Sequence, residues 1–254
     1  MRIYYEKDYE QMSRRAANII RAQVTLKPDS VLGLPTGSSP VGTYKQLVSW
    51  YSEGDIDFSQ CKSVNLDEYV GLSRECPQSY WRFMHENFFD HVNMKPENIN
   101  LPDGTNPDLD AECARYDAVI DSLGGIDIQL LGIGHDGHIG FNEPENCFAS
   151  LTHVVSLTER TIQSNLRFFE KIEDVPTRAV TMGIQSIMHA KKTVMVINGA
   201  DKADILCAMV TGPVEPAVPA SVLRFHRDFT LIADADALSV LLKKAPGLVL
   251  NRPL

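Results

Sequence analysis

The feature that most constrains this chain is an alternation, repeated along its length, of short apolar runs and longer segments with helical spacing. Ser30-Val31-Leu32-Gly33-Leu34, Ser63 to Leu66, Ile99 to Leu101, Ile126 to Leu131, Ala179 to Met182, Thr193 to Ile197 and Phe229 to Ile232 read as strands, with His153 to Leu157 as a further one. Between them, Asp8 to Leu26 carries Met12, Ala16, Ile19 and Ile20 at helical spacing. Ser39 and Pro40 read as the cap and first residue of a helix striped by Val41, Tyr44, Leu47, Val48 and Tyr51 and ended by Gly54. Pro77 to Val92, Leu109 to Ile120, Thr161 to Glu170, Ile184 to Ala190, Asp201 to Val210 and Ala235 to Leu242 complete the helical set. Strand–helix units in series predict an α/β fold: a largely parallel, Rossmann-like open sheet covered by helices on both faces. No repeat, low-complexity tract or long polar linker interrupts it, so one domain over residues 1–254 is expected.

At 254 residues the chain needs no disulfide staples. Its five cysteines, Cys61, Cys76, Cys113, Cys147 and Cys207, are scattered without a Cys-x-x-Cys pair and read as reduced thiols of a cytoplasmic protein. Met1 to Glu10 lacks the apolar stretch of a signal peptide, and no apolar run approaches the roughly 20 residues of a membrane span. A formal charge of −9 argues against a general nucleic-acid surface. It leaves open an anionic small molecule, which responds to the local field of its pocket.

In an open parallel sheet, ligands bind beyond the carboxyl ends of the strands. Four polar clusters are predicted to share that rim. Pro35-Thr36-Gly37-Ser38-Ser39 offers hydroxyls and free N–H groups before a helix, an arrangement that receives phosphate. It is neither a P-loop nor a dinucleotide fingerprint. Asp67-Glu68-Tyr69 follows the strand ending at Leu66, and one of its carboxylates should face inward. Asn198-Gly199-Ala200-Asp201-Lys202 brings a cation to another helix start. The richest cluster is Gly132-Ile133-Gly134-His135-Asp136-Gly137-His138-Ile139-Gly140-Phe141-Asn142-Glu143-Pro144. There Asp136, His138 and Glu143 fall within eight residues, a set suited to passing protons over about 3 Å. His135 and His138 resemble a metal pair, but the spacing supplies no helical face and no third ligand is evident, so no metal is expected. Tyr80, Phe83, Met84 and Phe88 read as core.

These residues identify a resemblance. Leu32-Gly-Leu-Pro-Thr-Gly-Ser38, Leu66-Asp-Glu-Tyr-Val-Gly-Leu72, Ser79-Tyr80, Phe88-Phe-Asp-His91, Pro96-Glu-Asn-Ile-Asn100 and Asp136-Gly-His-Ile-Gly-Phe-Asn-Glu-Pro144 resemble the glucosamine-6-phosphate deaminase (glucosamine/galactosamine-6-phosphate isomerase) family along nearly the whole chain. The resemblance implies isomerising deamination of glucosamine 6-phosphate to fructose 6-phosphate and ammonia, without metal or organic cofactor. Matched to this sequence, it implies that His138, supported by Asp136 and Glu143, opens the sugar ring. Asp67 would move a proton from C2 to C1 through an enolamine. Thr36, Gly37, Ser38, Arg167 and Lys202 would hold the phosphate, with Ser156 to Lys171 closing as a lid that carries Arg167. The partner implied is the small-molecule substrate, with no nucleic acid or membrane; a homo-oligomer stays open.

Two alternatives stand beside this reading. A 6-phosphogluconolactonase-type hydrolase shares the Asp-Gly-His loop, but tends to Ser-Leu-Phe-Pro where this chain has Gly140-Phe141-Asn142-Glu143-Pro144, and to Asp-Glu-Arg at Asp67-Glu68-Tyr69. A non-catalytic sugar-phosphate sensor would need a DNA-binding module, for which the residues before Val31 leave little room. Some family members are activated by N-acetylglucosamine 6-phosphate through serines just after Asn-Glu-Pro and basic residues on the next strand. Here Asn146 and Cys147 replace the serines, and His153 and Val155 the basic residues, so that activation is expected to be absent.

Overall fold

The computed structural model describes residues 1–166 and 169–252. In chain order the elements are β1 (Arg2–Glu6), α1 (Tyr9–Leu26), β2 (Val31–Leu34), α2 (Val41–Ser52), β3 (Lys62–Asn65), β4 (Asp67–Tyr69), α3 (Tyr80–Asn87), β5 (Ile99–Asn100), α4 (Leu109–Ser122), β6 (Ile128–Leu131) and β7 (His153–Ser156). They continue through α5 (Glu159–Asn165), β8 (Arg178–Thr181), α6 (Ile184–His189), β9 (Lys192–Ile197), α7 (Ala203–Thr211), β10 (Phe229–Asp234), α8 (Ser239–Lys244) and β11 (Val249–Leu250).

The main sheet runs β11-β1-β10-β9-β6-β2-β3-β5, and every pairing in it is parallel. The period-2 alternation of the strands divides the core into two. Leu32, Leu34, Ile128, Leu130, Val194 and Val196 pack against α1, α2 and α3 through Met12, Ile20, Tyr44, Leu47 and Met84. Val31, Leu131, Met195, Ile197 and Leu231 point the other way, onto Tyr116 and Ile120 of α4, Ile187 of α6, Leu206 and Met209 of α7 and Leu241 of α8. Each fully buried Leu or Ile contributes roughly 1.5–3 kcal/mol. Three of the helices, α1, α3 and α4, start where a side chain accepts from the first turn: Asp8 from Gln11 N, Ser79 from Arg82 N and Asp108 from Ala111 N.

The order also sets the site. From β2 the chain proceeds to β3 on one side, whereas β6 leads to β9 on the other, so the direction of winding reverses between β2 and β6. A crevice forms beyond the strand ends at such a reversal.

Several elements differ from the sequence reading. The charged N-terminus contains a strand, β1, held between β10 and β11; only Ile3 of it is buried, so hydropathy gives little sign of it. The runs at 153–157 and 179–182 do hold strands, β7 (His153–Ser156) and β8 (Arg178–Thr181), but these lie outside the parallel sheet. β7 and β8 pair antiparallel, and β8 pairs antiparallel with β4, making a separate three-stranded sheet. Asp67 therefore lies in a strand rather than a loop. Ser39 caps no helix; its hydroxyl donates instead to Asn198 Oδ1 at 2.7 Å, and α2 starts without a side-chain cap. The helix expected over 77–92 shortens to α3 because Ser79 caps it and Phe88 leaves helical geometry. The one expected over 161–170 starts earlier, capped by Thr158, and ends at Asn165. Helices expected from Asp201 and Ala235 start at Ala203 and Ser239. No helix of the described residues is long and apolar enough to cross a membrane, and all five cysteines are free.

Candidate active site

A cavity of about 280 Å³ opens at the reversal point. Thr36, Gly37, Ser38 and Ser39 line one side, from the turn after β2; Asn198, Asp201 and Lys202 line another, from the turn after β9. Asp67 and Tyr80 come from β4 and α3, Gly132 to Asp136, His138, Gly140 and Phe141 from the loop after β6, and Thr161 and Asn165 from α5. Of the residues singled out in the sequence, Thr36, Gly37, Ser38, Asp67, Asp136, His138 and Lys202 line this one cavity. Glu143 is buried behind His138. Arg167 lies outside the described residues, as does part of the proposed 156–171 lid.

The turn after β2 is held from three directions. Tyr44 donates its hydroxyl to Pro35 O at 2.5 Å, Tyr9 donates to Ser38 O at 3.0 Å, and Gly42 N donates back to the Tyr9 oxygen at 2.7 Å. Ser39 ties this turn to Asn198. Gly37 sits at φ +90, in the left-handed region.

The loop after β6 folds back on itself. Gly134 N donates to His138 O at 3.0 Å, and Gly137 N to Gly134 O at 3.1 Å. A β-carbon on Gly134 would come 2.2 Å from the His138 ring, so only glycine admits the imidazole there. His138 Nδ1 lies 2.7 Å from Asp136 Oδ1 and 3.7 Å from Glu143 Oε2. Burial disfavours charge on the ring, but these two carboxylates outweigh it and push His138 up to about 9. Burial likewise opposes charge on Asp136, yet the His138 partnership holds its carboxyl well below the usual range. The two carboxylates thus favour the cationic ring, with Nδ1 in ion-pair range of Asp136 Oδ1 but without a well-aligned hydrogen bond to it. Asp136, His138 and Glu143 ligand atoms all lie within 4.8 Å of one another, compact enough for an ion. His135 turns elsewhere, with Nε2 2.6 Å from Asp201 Oδ2 at the cavity rim.

Asp67 faces this set from β4. Its strand is fixed by pairing with Thr181, and Met182 N donates to Leu66 O beside it. The carboxyl is buried, and its Oδ1 has no hydrogen-bond partner among the described residues. Burial first, then the neighbouring Glu68 charge, pushes Asp67 up to about 8, while His138 opposes the shift. Gly140, at φ +60, packs closely beside it: a β-carbon there would meet Thr181 Oγ1 at 3.0 Å and Asp67 Oδ2 at 3.5 Å.

Sequence reasoning missed three residues here. Glu68 points away from the cavity and accepts from the backbone N–H groups of Tyr69, Tyr80 and Trp81, at 2.8, 3.0 and 2.9 Å, which joins β4 to the start of α3. Burial raises it to about 7 in spite of those donors. Tyr80 is core on one face, stacked on Phe141 at 5.9 Å, with its hydroxyl donating to Tyr69 Oη at 3.2 Å, yet it also lines the cavity. Thr161 donates to Glu143 Oε1 at 2.6 Å. The Ser79-Tyr80 pair carried a signal, since it was part of the family resemblance; Glu68 and Thr161 carried none beyond adjacency.

The model of the glucosamine-6-phosphate isomerase/6-phosphogluconolactonase family matches residues 6–232. A glucosamine-6-phosphate deaminase of Lachnoclostridium phytofermentans is 60% identical over 232 residues, covering 91% of this chain and 98% of that protein. One from Clostridium botulinum (strain Langeland) is 50% identical over 241 residues, covering 95% and 99%. Among solved structures, a monomeric glucosamine-6-phosphate deaminase superposes with a TM-score of 0.92 at 45% identity, over 94% of this chain and all of that one. The 6-phosphogluconolactonase of Thermotoga maritima, at 19% identity over 92% of this chain and 98% of its own, shares the fold with a TM-score of 0.70.

Proposed function

The chain belongs to the glucosamine-6-phosphate isomerase/6-phosphogluconolactonase family, and from that membership we propose that it converts glucosamine 6-phosphate and water to fructose 6-phosphate and ammonia. The observation that carries the reading is the pairing of two proton-transfer groups across one cavity: a buried, proton-affine Asp67 facing an Asp136–His138–Glu143 set.

In this reading the phosphate dianion is received by the Thr36–Ser38 turn and Lys202, with Arg167 joining them. The His138 cation gives a proton to the ring oxygen and recovers one from the anomeric hydroxyl as the ring opens. Asp136 and Glu143 stabilise the cation and hold the ring. Asp67 in its ionised form then takes the proton from C2 while the substrate ammonium passes one to the carbonyl oxygen at C1, leaving an enolamine, and Asp67 returns its proton to C1. The resulting C2 imine adds water at C2, and the C2–N bond breaks to release ammonia, so atoms and charge balance without a cofactor. An aspartate raised to about 8 is a far stronger base than an exposed one.

The reaction is hydrolytic in releasing ammonia and isomerising in moving the carbonyl, and it proceeds without metal. The chain works as one isomerase/deaminase domain in the cytoplasm, with the likeness to a monomeric enzyme as support for activity that needs no partner subunit. The deciding experiment is a coupled assay of fructose 6-phosphate and ammonia formed from glucosamine 6-phosphate, run beside hydrolysis of 6-phosphogluconolactone. Equimolar products are expected. Lactone hydrolysis without ammonia would establish the sister activity, and no turnover of either would favour a sensor.

A further inference from the structure

Glu143 needs something to keep it aimed. Its carboxylate is buried, and Oε2, the oxygen that faces His138 Nδ1 at 3.7 Å, has no hydrogen-bond partner among the described residues. The other oxygen, Oε1, accepts from the Thr161 hydroxyl at 2.6 Å. Thr161 is itself 5% exposed, and its own oxygen accepts from the Thr158 hydroxyl at 3.1 Å. Thr158 is the residue that caps α5, through Thr161 N at 3.3 Å. A chain of donors therefore runs from the start of α5 through Thr158 and Thr161 to Glu143, in the sense that leaves Glu143 an acceptor. Both Thr161 and Asn165, one turn apart on the same face, line the cavity.

We propose that Thr161 is a positioning residue: its hydroxyl fixes the Glu143 carboxylate toward His138, so that ring-opening competence depends on α5 being seated against the loop after β6. A buried carboxylate held by one short donor keeps its rotamer; without the donor it is free to turn away. That turn removes one of the two carboxylates that face the His138 ring. His138 is faced by Asp136 and Glu143 from its own loop and by Asp67 from β4, with Asp201 and Lys202 across the cavity. Thr161 is uncharged, so any effect on the ring must pass through Glu143. The helix that walls the substrate cavity and the acid that opens the sugar are then one unit: displacing α5 disarms His138 before substrate chemistry can start.

The inference rests on the deaminase reading for its kinetic arm only. Thr161→Val keeps the shape and removes the hydroxyl; Thr161→Ser keeps the hydroxyl and removes the methyl. Two measurements apply to each. The first is titration of the His138 ring by NMR in the full chain without substrate, which is independent of what the enzyme turns over. The second is the split of kcat and KM for glucosamine 6-phosphate. In Thr161→Val the His138 midpoint is expected to fall by about one pH unit or more, and kcat to fall roughly 10-fold or more with KM within about 3-fold. Thr161→Ser is expected to restore both. A wild-type His138 titration in a folded Thr161→Val protein would overturn the proposal. So would loss of both readouts in Thr161→Ser, since that outcome makes the methyl group, and not the hydroxyl, the determinant. If Thr161→Val does not fold, Thr161→Ser decides alone, together with Glu143→Gln: the proposal requires Glu143→Gln to lower the His138 midpoint and Thr161→Ser to leave it unchanged.

Discussion

Replacing Asp67 by Asn should abolish turnover and make the protein more stable, and the two effects have one origin. Asp67 is raised from 3.8 to about 8 in the folded state. A carboxyl with a raised pKa binds its proton more tightly folded than unfolded, so between those two values the folded state is the one that holds the proton. Stability is then full below about pH 3.8, falls as pH rises, and levels off above about pH 8. At pH 7 the gap above the unfolded value is about 3 units, and at about 1.4 kcal/mol per unit this single group costs about 4 kcal/mol. The Asn amide does not ionise and escapes that cost, although its own N–H must find an acceptor next to an oxygen position that now lacks a partner. The stabilisation expected at pH 7 is therefore about 2–4 kcal/mol, or roughly 4–12 °C in melting temperature for a chain of this size. Thermal melts of wild type and Asp67→Asn at intervals from pH 5 to pH 8 measure it, because other titrating groups cancel in the difference. The difference should widen as pH rises. Turnover in the same variant should fall at least 10²- to 10⁴-fold or so, with substrate binding retained, since the phosphate contacts are elsewhere. A melting difference that stays flat across this range, or near-normal turnover, would refute the reasoning.

The other expectations concern the same cavity. The free-enzyme profile, kcat/KM against pH, should peak on the alkaline side of neutrality, rising toward about 8 as Asp67 loses its proton and declining above about 9 as His138 does; a maximum below pH 6 would contradict the assignment. Arg167→Ala and Lys202→Ala should each raise KM for glucosamine 6-phosphate roughly tenfold or more, and affect unphosphorylated glucosamine much less; equal effects on both sugars would remove these residues from phosphate recognition. Exhaustive chelation should leave activity intact, and loss with EDTA followed by recovery on adding a divalent ion would overturn the metal-free mechanism. Rate curves should be hyperbolic and indifferent to N-acetylglucosamine 6-phosphate, because His153 and Val155 cannot supply two fixed positive charges; sigmoidal curves made hyperbolic by that compound would contradict this.

What could be read in advance was decided by where the partners of each residue lie in the chain. β2, β6, β9 and β10 are mostly apolar runs, so hydropathy marks them, whereas β3 is Lys-Ser-Val-Asn and stands out only through Val64 and the Leu66 after it. The loop after β6 holds its own constellation, and Asp136, His138 and Glu143 meet within it. β1 and β4 were not legible in this way. Arg2–Glu6 buries a single apolar side chain, and Asp67–Tyr69 is polar and becomes a strand only because β8 lies alongside. Ser39 looked like a cap because a Ser-Pro step often is one; its hydroxyl is instead engaged by Asn198. Glu68 and Thr161 act on groups 12–13 and 18 positions away, and neither contact has a periodicity or spacing to announce it.

The place of β1 has a consequence for a chain that is made from one end. Its ladder partners are Thr230 to Asp234 of β10 and Val249 to Leu250 of β11. β1 thus waits for β10 and β11, which follow the other strands of the sheet in chain order. During most of synthesis Arg2–Glu6 has nothing to pair with, while β2, β3 and β6 can already form the middle of the sheet. The sheet therefore assembles outward from its centre and closes at this edge only after β10 and β11 are made, the slow kind of long-range pairing. A nascent chain stalled before β10 would hold Asp67, His138 and Lys202 with that edge of the sheet still open.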